Sequence, residues 1–427
     1  IEKYDNLQGG FIWDWVDQSI WKTNEKGERF YAYGGDYGEN MPTDNTFLNN
    51  GIVFPDRTPQ PALYEVKKAH EYINFKDQGI NRHDELRVLV ENLYDFTDLN
   101  QFNFEAKIKA DGRVLRTIPL EEISVETHTG KLIRIPLSGI DYQPKTEYFV
   151  EISATTKTDW GLLPKGFEVA HEQLFLKGKY KAEPASPMNY GEALSHTEQG
   201  QIITIQNDIV KVVFDKNQGQ ITSYVFEGNE LLQLPKAYNN LDYYGRGPWE
   251  NYQDRKASAF VDVYSSTVSE QYVPYVRPQE NGYKTDVRWA TLSNSEGQGL
   301  MIVTDYTDQP LGFSALHMPN EDFDLTEGLA YSANDKIDPE FQLKGASPAN
   351  PSKHINDIKE KDLVQLNIDM GQRGVAGDDS WGAMPQEKYR TKADEKLSYG
   401  FYLFPFSKYS KEAAISKSKS LMREGGE

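Results

Sequence analysis

Apolar and polar residues alternate on a two-residue period through much of this chain. Leu86-Arg-Val88-Leu-Val90, Phe102-Asn-Phe104-Glu-Ala106-Lys-Ile108 and Tyr148-Phe-Val150-Glu-Ile152 are such runs, with turn pairs at Asp111-Gly112, Thr129-Gly130 and Ser138-Gly139. Alternation places one set of side chains on a buried face and the other in solvent. Strands at this spacing predict a β-sandwich of ~100 residues. A stretch of Lys, Gly, Pro, Ala and Ser over 178–190 reads as a linker. Beyond it, Ile202-Ile-Thr-Ile205, Ile209 to Phe214 and Ile221 to Phe226 are strands, turning at Asn207-Asp208 and along Asp215 to Gly219. Residues 191–427 suit a large antiparallel sandwich. No internal repeat stands out, and the Lys- and Ser-rich C-terminal dozen is expected to be a fraying helical end.

The beginning of the chain has another rhythm. Gly9-Gly10 leads into Phe11-Ile12-Trp13, a short buried strand, and residues 22–58 form a long excursion rich in Gly, Asn, Asp and Pro. Loops of that length inside a compact domain are usually functional. Thr58-Pro59-Gln60-Pro61 opens a helix, with Thr58 as N-cap and Pro in the first turn. Ala62, Leu63, Val66, Ala69 and Ile73 then recur at helical spacing. One strand, one loop and one helix cannot bury that strand. It needs neighbours from residues before Ile1 or from another chain.

Composition supports a β-rich globular chain: 427 residues, 38% hydrophobic, 12% aromatic, 26 tyrosines. The net charge of −19, from 65 acidic and 46 basic residues, repels phosphate backbones and anionic lipid, so neither nucleic acid nor membrane is expected as a partner. A neutral polyol is indifferent to that field, and the charge also serves plain solubility. There is no cysteine, which excludes disulfides and thiolate metal sites and leaves the compartment open, cytoplasmic or periplasmic. No apolar run approaches the ~20 residues that span a bilayer.

The candidate chemistry lies in Gly9 to Glu65. Trp13, Trp15, Trp21, Tyr31, Tyr33, Tyr37, Phe47 and Phe54 stand among Asp14, Asp17, Asp36, Asp44 and Asp56. Aromatic faces beside carboxylates and amides suit a sugar: its C–H face stacks on a ring and its hydroxyls need acceptors and donors. Asp14 with Asp17, or Asp378 with Asp379, are the local carboxylate pairs. Neighbours on a strand point to opposite faces, and Asp pairs in loops are usually turn-formers or caps, so neither pair reads as catalytic.

Three further runs complete the picture: Gly245-Arg-Gly-Pro-Trp-Glu-Asn-Tyr-Gln-Asp-Arg255, Tyr272-Val-Pro-Tyr-Val-Arg-Pro-Gln-Glu-Asn-Gly282 and Gly377-Asp-Asp-Ser-Trp381. With the Gly9–Glu65 run they resemble, in order and over nearly the whole chain, the long five-domain β-galactosidases of glycoside hydrolase family 2. The resemblance implies a mainly β protein. Residues 1–75 would be the last βα unit of the catalytic (β/α)8 barrel, 76–177 an immunoglobulin-like sandwich, and 191–427 the large fifth domain.

It further implies hydrolysis of terminal β-D-galactosides with retention, which needs two carboxyl groups ~5–5.5 Å apart. In the family both are glutamates on earlier barrel strands, so no residue here inherits a catalytic role and the isolated chain is expected to be inactive. Trp13 would be the platform under the sugar; a core Trp of the barrel is the alternative. Phe47, by its backbone carbonyl, and Asn50, by its side chain, would bind sodium, with Asn50 also near the galactose; an amide capping the turn before Gly51 is the alternative. Hard oxygen ligands suit that cation. The family's third sodium ligand and its magnesium ligands, two carboxylates and a His, fall before Ile1. None of the seven histidines is spaced as a substitute. Residues 39–43 run one residue longer than usual, and Thr43 stands where an Asn often binds an outer cation. Trp381 would stack on the aglycone; a buried sandwich Trp is the alternative. Expected partners are a galactoside, the N-terminal part of the enzyme and further copies in a homo-oligomer. A non-catalytic carbohydrate-binding sandwich is the competing function.

Overall fold

The computed structural model describes residues 4, 6–34, 36–38, 48–181, 193–247, 259–305, 309–323, 354–374, 383–392, 394 and 396–422. Among them the architecture is mainly β: six sheets and two α-helices.

The strand expected at Gly9–Trp15 is not formed. Phe11, Ile12, Trp13 and Trp15 are exposed, and the sole ladder contact here is a parallel bridge between Val16 and Val53. A barrel strand exists only through hydrogen bonds to flanking strands, and no described segment supplies them. The expected loop is not structureless either. Ile20–Thr23 and Arg29–Ala32 pair as an antiparallel hairpin. Its turn is organised by Asn24, whose side-chain oxygen accepts from the Lys26 and Glu28 amides.

The helix begins two residues later than its sequence signals suggested, at Pro61, and ends at Ala69. Thr58 is not the N-cap because its amide and hydroxyl both donate to Asp56, and Pro59 bridges to Val53. Gln60 therefore stands at the cap and Pro61 in the first turn, where its missing N–H costs nothing. Ile73 leaves the helical register altogether: it opens the strand Ile73–Ile80 and is fully buried in the neighbouring sandwich.

That sandwich stacks a three-stranded sheet (Ile73–Ile80, Glu85–Asn92, Gly130–Pro136) on a four-stranded one (Arg113–Pro119, Phe102–Ala110, Tyr148–Thr156, Glu168–Phe175). Seven strands in two antiparallel sheets is the immunoglobulin-like plan. Burial alternates strictly along Glu85–Asn92, and Val88, Val90, Phe104, Ala106, Ile108, Val150 and Ile152 meet in one core. The turn expected at Thr129-Gly130 sits at Thr127-His128, with His128 at φ 56°, and Gly130 already belongs to a strand.

The larger region contains a five-stranded meander from Ser195 to Glu230, a five-stranded sheet built around Asn240–Arg246, Trp289–Ser293 and Gly299–Thr304, and a three-stranded sheet of Lys284–Val287, Leu311–Leu316 and Gln365–Asp369. Leu241, Tyr243, Leu292, Ile302 and Phe313 share its core. The C-terminal helix, Lys411–Leu421, is a docked element and not a frayed one. Ser410 caps it by accepting from the Ala413 amide, and Ala414, Leu421 and Met422 pack with Trp289, Met301 and Phe149. Phe149 belongs to the smaller sandwich, so this helix seals the two sandwiches together.

Candidate functional site

Segment 14–18 is zipped onto segment 48–53. The Asp14 amide donates to the Asn50 carbonyl at 3.0 Å, the Ile52 and Val53 amides both donate to the Trp15 carbonyl at 3.1 Å, and the Gln18 amide donates to Leu48. Two chemistry-bearing positions far apart in sequence, Trp13 and Asn50, thereby become neighbours. Trp13 is 78% exposed and Trp15 57%, so both present free ring surface. The Trp13–Asp14 peptide is cis.

Asp17 is the brace behind this wall. It is 4% exposed. One carboxylate oxygen accepts from the Gly51 amide at 2.8 Å, the other from the Gln60 side chain at 2.7 Å. Burial raises its pKa; the bonds from Gly51 and Gln60 act the other way but do not offset it. Gly51 fits because a Cβ there would lie 2.1 Å from the Asp17 nitrogen. Asp17 is thus a structural acceptor, while Asp14 accepts from Gln18 on the surface.

Most of the aromatic cluster packs against protein. Trp21 and Tyr31 stack on each other across the hairpin, ring centroids 3.8 Å apart. Tyr33 is fully buried, its pKa pushed up to about 12 by that burial, and Phe54 lies against Tyr275. Composition alone therefore overcounted the stacking surface; among the described rings of the cluster Trp13 and Trp15 are the most exposed, with Trp21 and Tyr37 less so.

The hairpin docks on the larger sandwich region. Asp36 accepts from the Tyr33 amide and bonds the His354 ring at 2.9 Å; that ring also packs on Phe30 and Tyr33. Tyr33, Tyr31 and Val276 share a small core, and Arg277 reaches the Tyr33 hydroxyl. The Tyr272–Gly282 run is a closed loop, because the Asn281 side chain both accepts from the Val273 amide and donates to its carbonyl at 2.8 Å. Val276 and Arg277 meet the hairpin from it, and Tyr275 lies against Phe54. The structure thus brings that motif to the Gly9–Glu65 run. Sequence reasoning did not single out His354, Arg277 or the bracing role of Asp17; the Asp17–Gly51 pair left one trace, an Asp shortly after the Trp and a Gly before an apolar run.

Phe47, Trp381, Asp378 and Asp379 lie outside the described residues. Among the described residues no three His, Cys, Asp or Glu side chains gather to hold a metal ion. The Asn50 carbonyl is already engaged by Asp14.

Three family patterns match the chain in order: "Glycosyl hydrolases family 2, TIM barrel domain" over residues 1–75, "Beta-galactosidase, domain 4" over 88–177, and "Beta galactosidase small chain" over 231–403. The chain belongs to glycoside hydrolase family 2. It has the domain make-up of that family's β-galactosidases and corresponds to their C-terminal portion. Similar proteins include a β-galactosidase of Priestia megaterium, 27% identical over 95% of this chain and 45% of that protein, and one of Streptococcus thermophilus, 24% identical over the same shares. A "Beta-galactosidase 2" of Enterobacter cloacae is 32% identical over 59% of this chain and 23% of that protein. The chain spans somewhat under half the length of the curated relatives it matches across its whole extent. The barrel match over 1–75 explains why Gly9–Trp15 forms no strand: a barrel stave has no ladder without its neighbours.

Proposed function

We propose that this chain contributes one wall of the sugar pocket of an enzyme that hydrolyses terminal β-D-galactosides with retention. The observation carrying the proposal is the exposed Trp13 ring held beside Asn50 by the 14–18/48–53 zipper, in a chain of this family. Trp13 stacks on the C–H face of galactose, and the Asn50 amide bonds a ring hydroxyl. The two carboxyl groups come from residues outside this chain. One attacks the anomeric carbon as the glycosidic bond breaks; the other protonates the leaving oxygen and then deprotonates the water that frees galactose. Sodium and magnesium belong to the complete pocket; Phe47 and Asn50 would give part of the sodium site. Trp381 closes the aglycone side, with a galactoside, the N-terminal part of the enzyme and further copies of it as partners.

The test has two arms. This 427-residue chain by itself should release no nitrophenol from a nitrophenyl β-galactoside. Supplied with the polypeptide that completes the barrel, it should turn over, and Trp13→Ala should then lower kcat/KM about tenfold to a hundredfold, the worth of one aromatic stacking face. Robust hydrolysis by the isolated chain, or an indifferent Trp13→Ala, defeats the proposal.

A further inference from the structure

The seam between the two sandwiches forms a half-open pocket of about 640 Å³, walled on the third side by the C-terminal helix. No residue of the Trp13–Asn50 wall lines it. The volume falls in the range of small-molecule sites, which favour domain junctions.

Its charge runs against that of the whole chain. Lys145, Lys177, Arg246, Arg288 and Lys419 line it, against Asp111, Glu147 and Asp286, a local surplus of two positive charges in a chain of net −19. Each carboxylate is committed. Arg288 grips Glu147 through two bonds of 2.8 and 2.9 Å, Arg246 bonds Asp286 at 2.6 Å, and Lys419 pairs with Asp111. Lys145 is turned onto the helix carbonyls of Lys419 and Met422. Among the described residues Lys177 has no carboxylate within ion-pair distance, and it is exposed at the rim. The remaining lining is largely apolar, with Phe175, Ile415 and Met422 on facing walls. The enclosed Tyr244 hydroxyl finds no well-formed hydrogen bond among the described residues.

We propose that this cavity binds an amphipathic monoanion, a carboxylate or sulfonate on an aromatic or branched apolar body. The acid group meets Lys177 at the rim, and the body enters between Phe175, Ile415 and Met422. A cationic ligand meets the surplus positive charge. A purely apolar one leaves Lys177 unused.

Calorimetric titration of the full chain with three matched probes tests this: naphthylacetate, naphthylethanol and naphthylethylammonium. The acid should bind tightest and the ammonium weakest, about tenfold or more apart. Lys177→Glu changes an exposed side chain and should weaken the acid about tenfold while improving the ammonium. Ile415→Trp, which fills the cavity from the helix, should remove binding of all three. If Ile415→Trp unfolds the protein, the Lys177→Glu reversal decides alone. No binding by any probe, equal binding of acid and ammonium, or an unchanged order in Lys177→Glu would each mean a packing gap only.

Discussion

Asp17 offers the sharpest test of how the Trp13–Asn50 wall is held. Asp17→Ala removes the acceptor for two donors, the half-buried Gly51 amide and the buried Gln60 side chain. Orphaning a donor costs about 1–3 kcal/mol according to its burial, so roughly 1 for Gly51 and 2 for Gln60 gives about 3 kcal/mol. Asp17→Asn differs in kind. Its amide oxygen still serves Gly51, and its NH2 group serves Gln60 once that side chain turns its own oxygen inward. No desolvated charge remains, so the change should be neutral within about 1 kcal/mol.

The pH dependence follows from the same burial. The raised folded pKa means the fold prefers Asp17 protonated relative to the unfolded chain. Its contribution is greatest below the ordinary carboxylate value of 3.8 and is lost as pH rises through the raised value. Acidification within that window should tighten the 48–60 segment in the wild type and leave Asp17→Asn unmoved. The assay is hydrogen exchange read on peptides covering 48–60, since a global melt averages over the sandwiches. Asp17→Ala should speed exchange of the Gly51 amide by about two orders of magnitude. If Asp17→Asn costs as much as Asp17→Ala, the negative charge itself is required, and the reasoning fails.

Other substitutions probe neighbouring features. Gly51→Ala, with its Cβ against backbone of residues 16 and 17, should unzip 14–18 from 48–53 and raise exchange across both; unchanged exchange would show that the backbone yields at little cost. Glu147→Gln leaves the enclosed Arg288 without its carboxylate; burial disfavours that guanidinium charge, and Glu147, with lesser help from Tyr244 and Asp286, outweighs burial and holds the pKa above the ordinary value. A loss of about 3–5 kcal/mol is expected by urea denaturation. The double variant Glu147→Gln with Arg288→Met should recover most of it. Asn281→Ala cuts the tie across the Tyr272–Gly282 loop and should raise exchange in 272–282 and in the docked hairpin together; a change confined to the loop would separate the two.

Local pattern and tertiary context divided the outcome. Period-two alternation at Leu86–Val90, Phe102–Ile108 and Tyr148–Ile152 sufficed to place those strands, because each residue's burial is fixed by which face of a sheet it occupies. Turn chemistry erred by one or two residues where side chains competed for backbone. Asp56 drew Thr58 away from the helix cap. The C-terminal helix shows why composition misleads: among its Lys and Ser, Ser418 is buried and Lys419 pairs with Asp111, while Ala414 and Leu421 find a core that Trp289 and Phe149 build from distant strands.

By itself the sequence determined the β-rich class, the order of its regions and the family, since alternation, turn residues and ordered motifs are local signals. Tertiary structure alone decided which aromatic rings are free. Trp21, Tyr31, Tyr33 and Phe54 read no differently from Trp13 in the chain, yet they pack on one another, on His354 and on Tyr275. It also decided that Gly9–Trp15 forms no strand and that charges from three regions converge on one cavity. Hydrogen bonding and burial are pairwise properties, and the partner of each of these residues lies tens to hundreds of positions away.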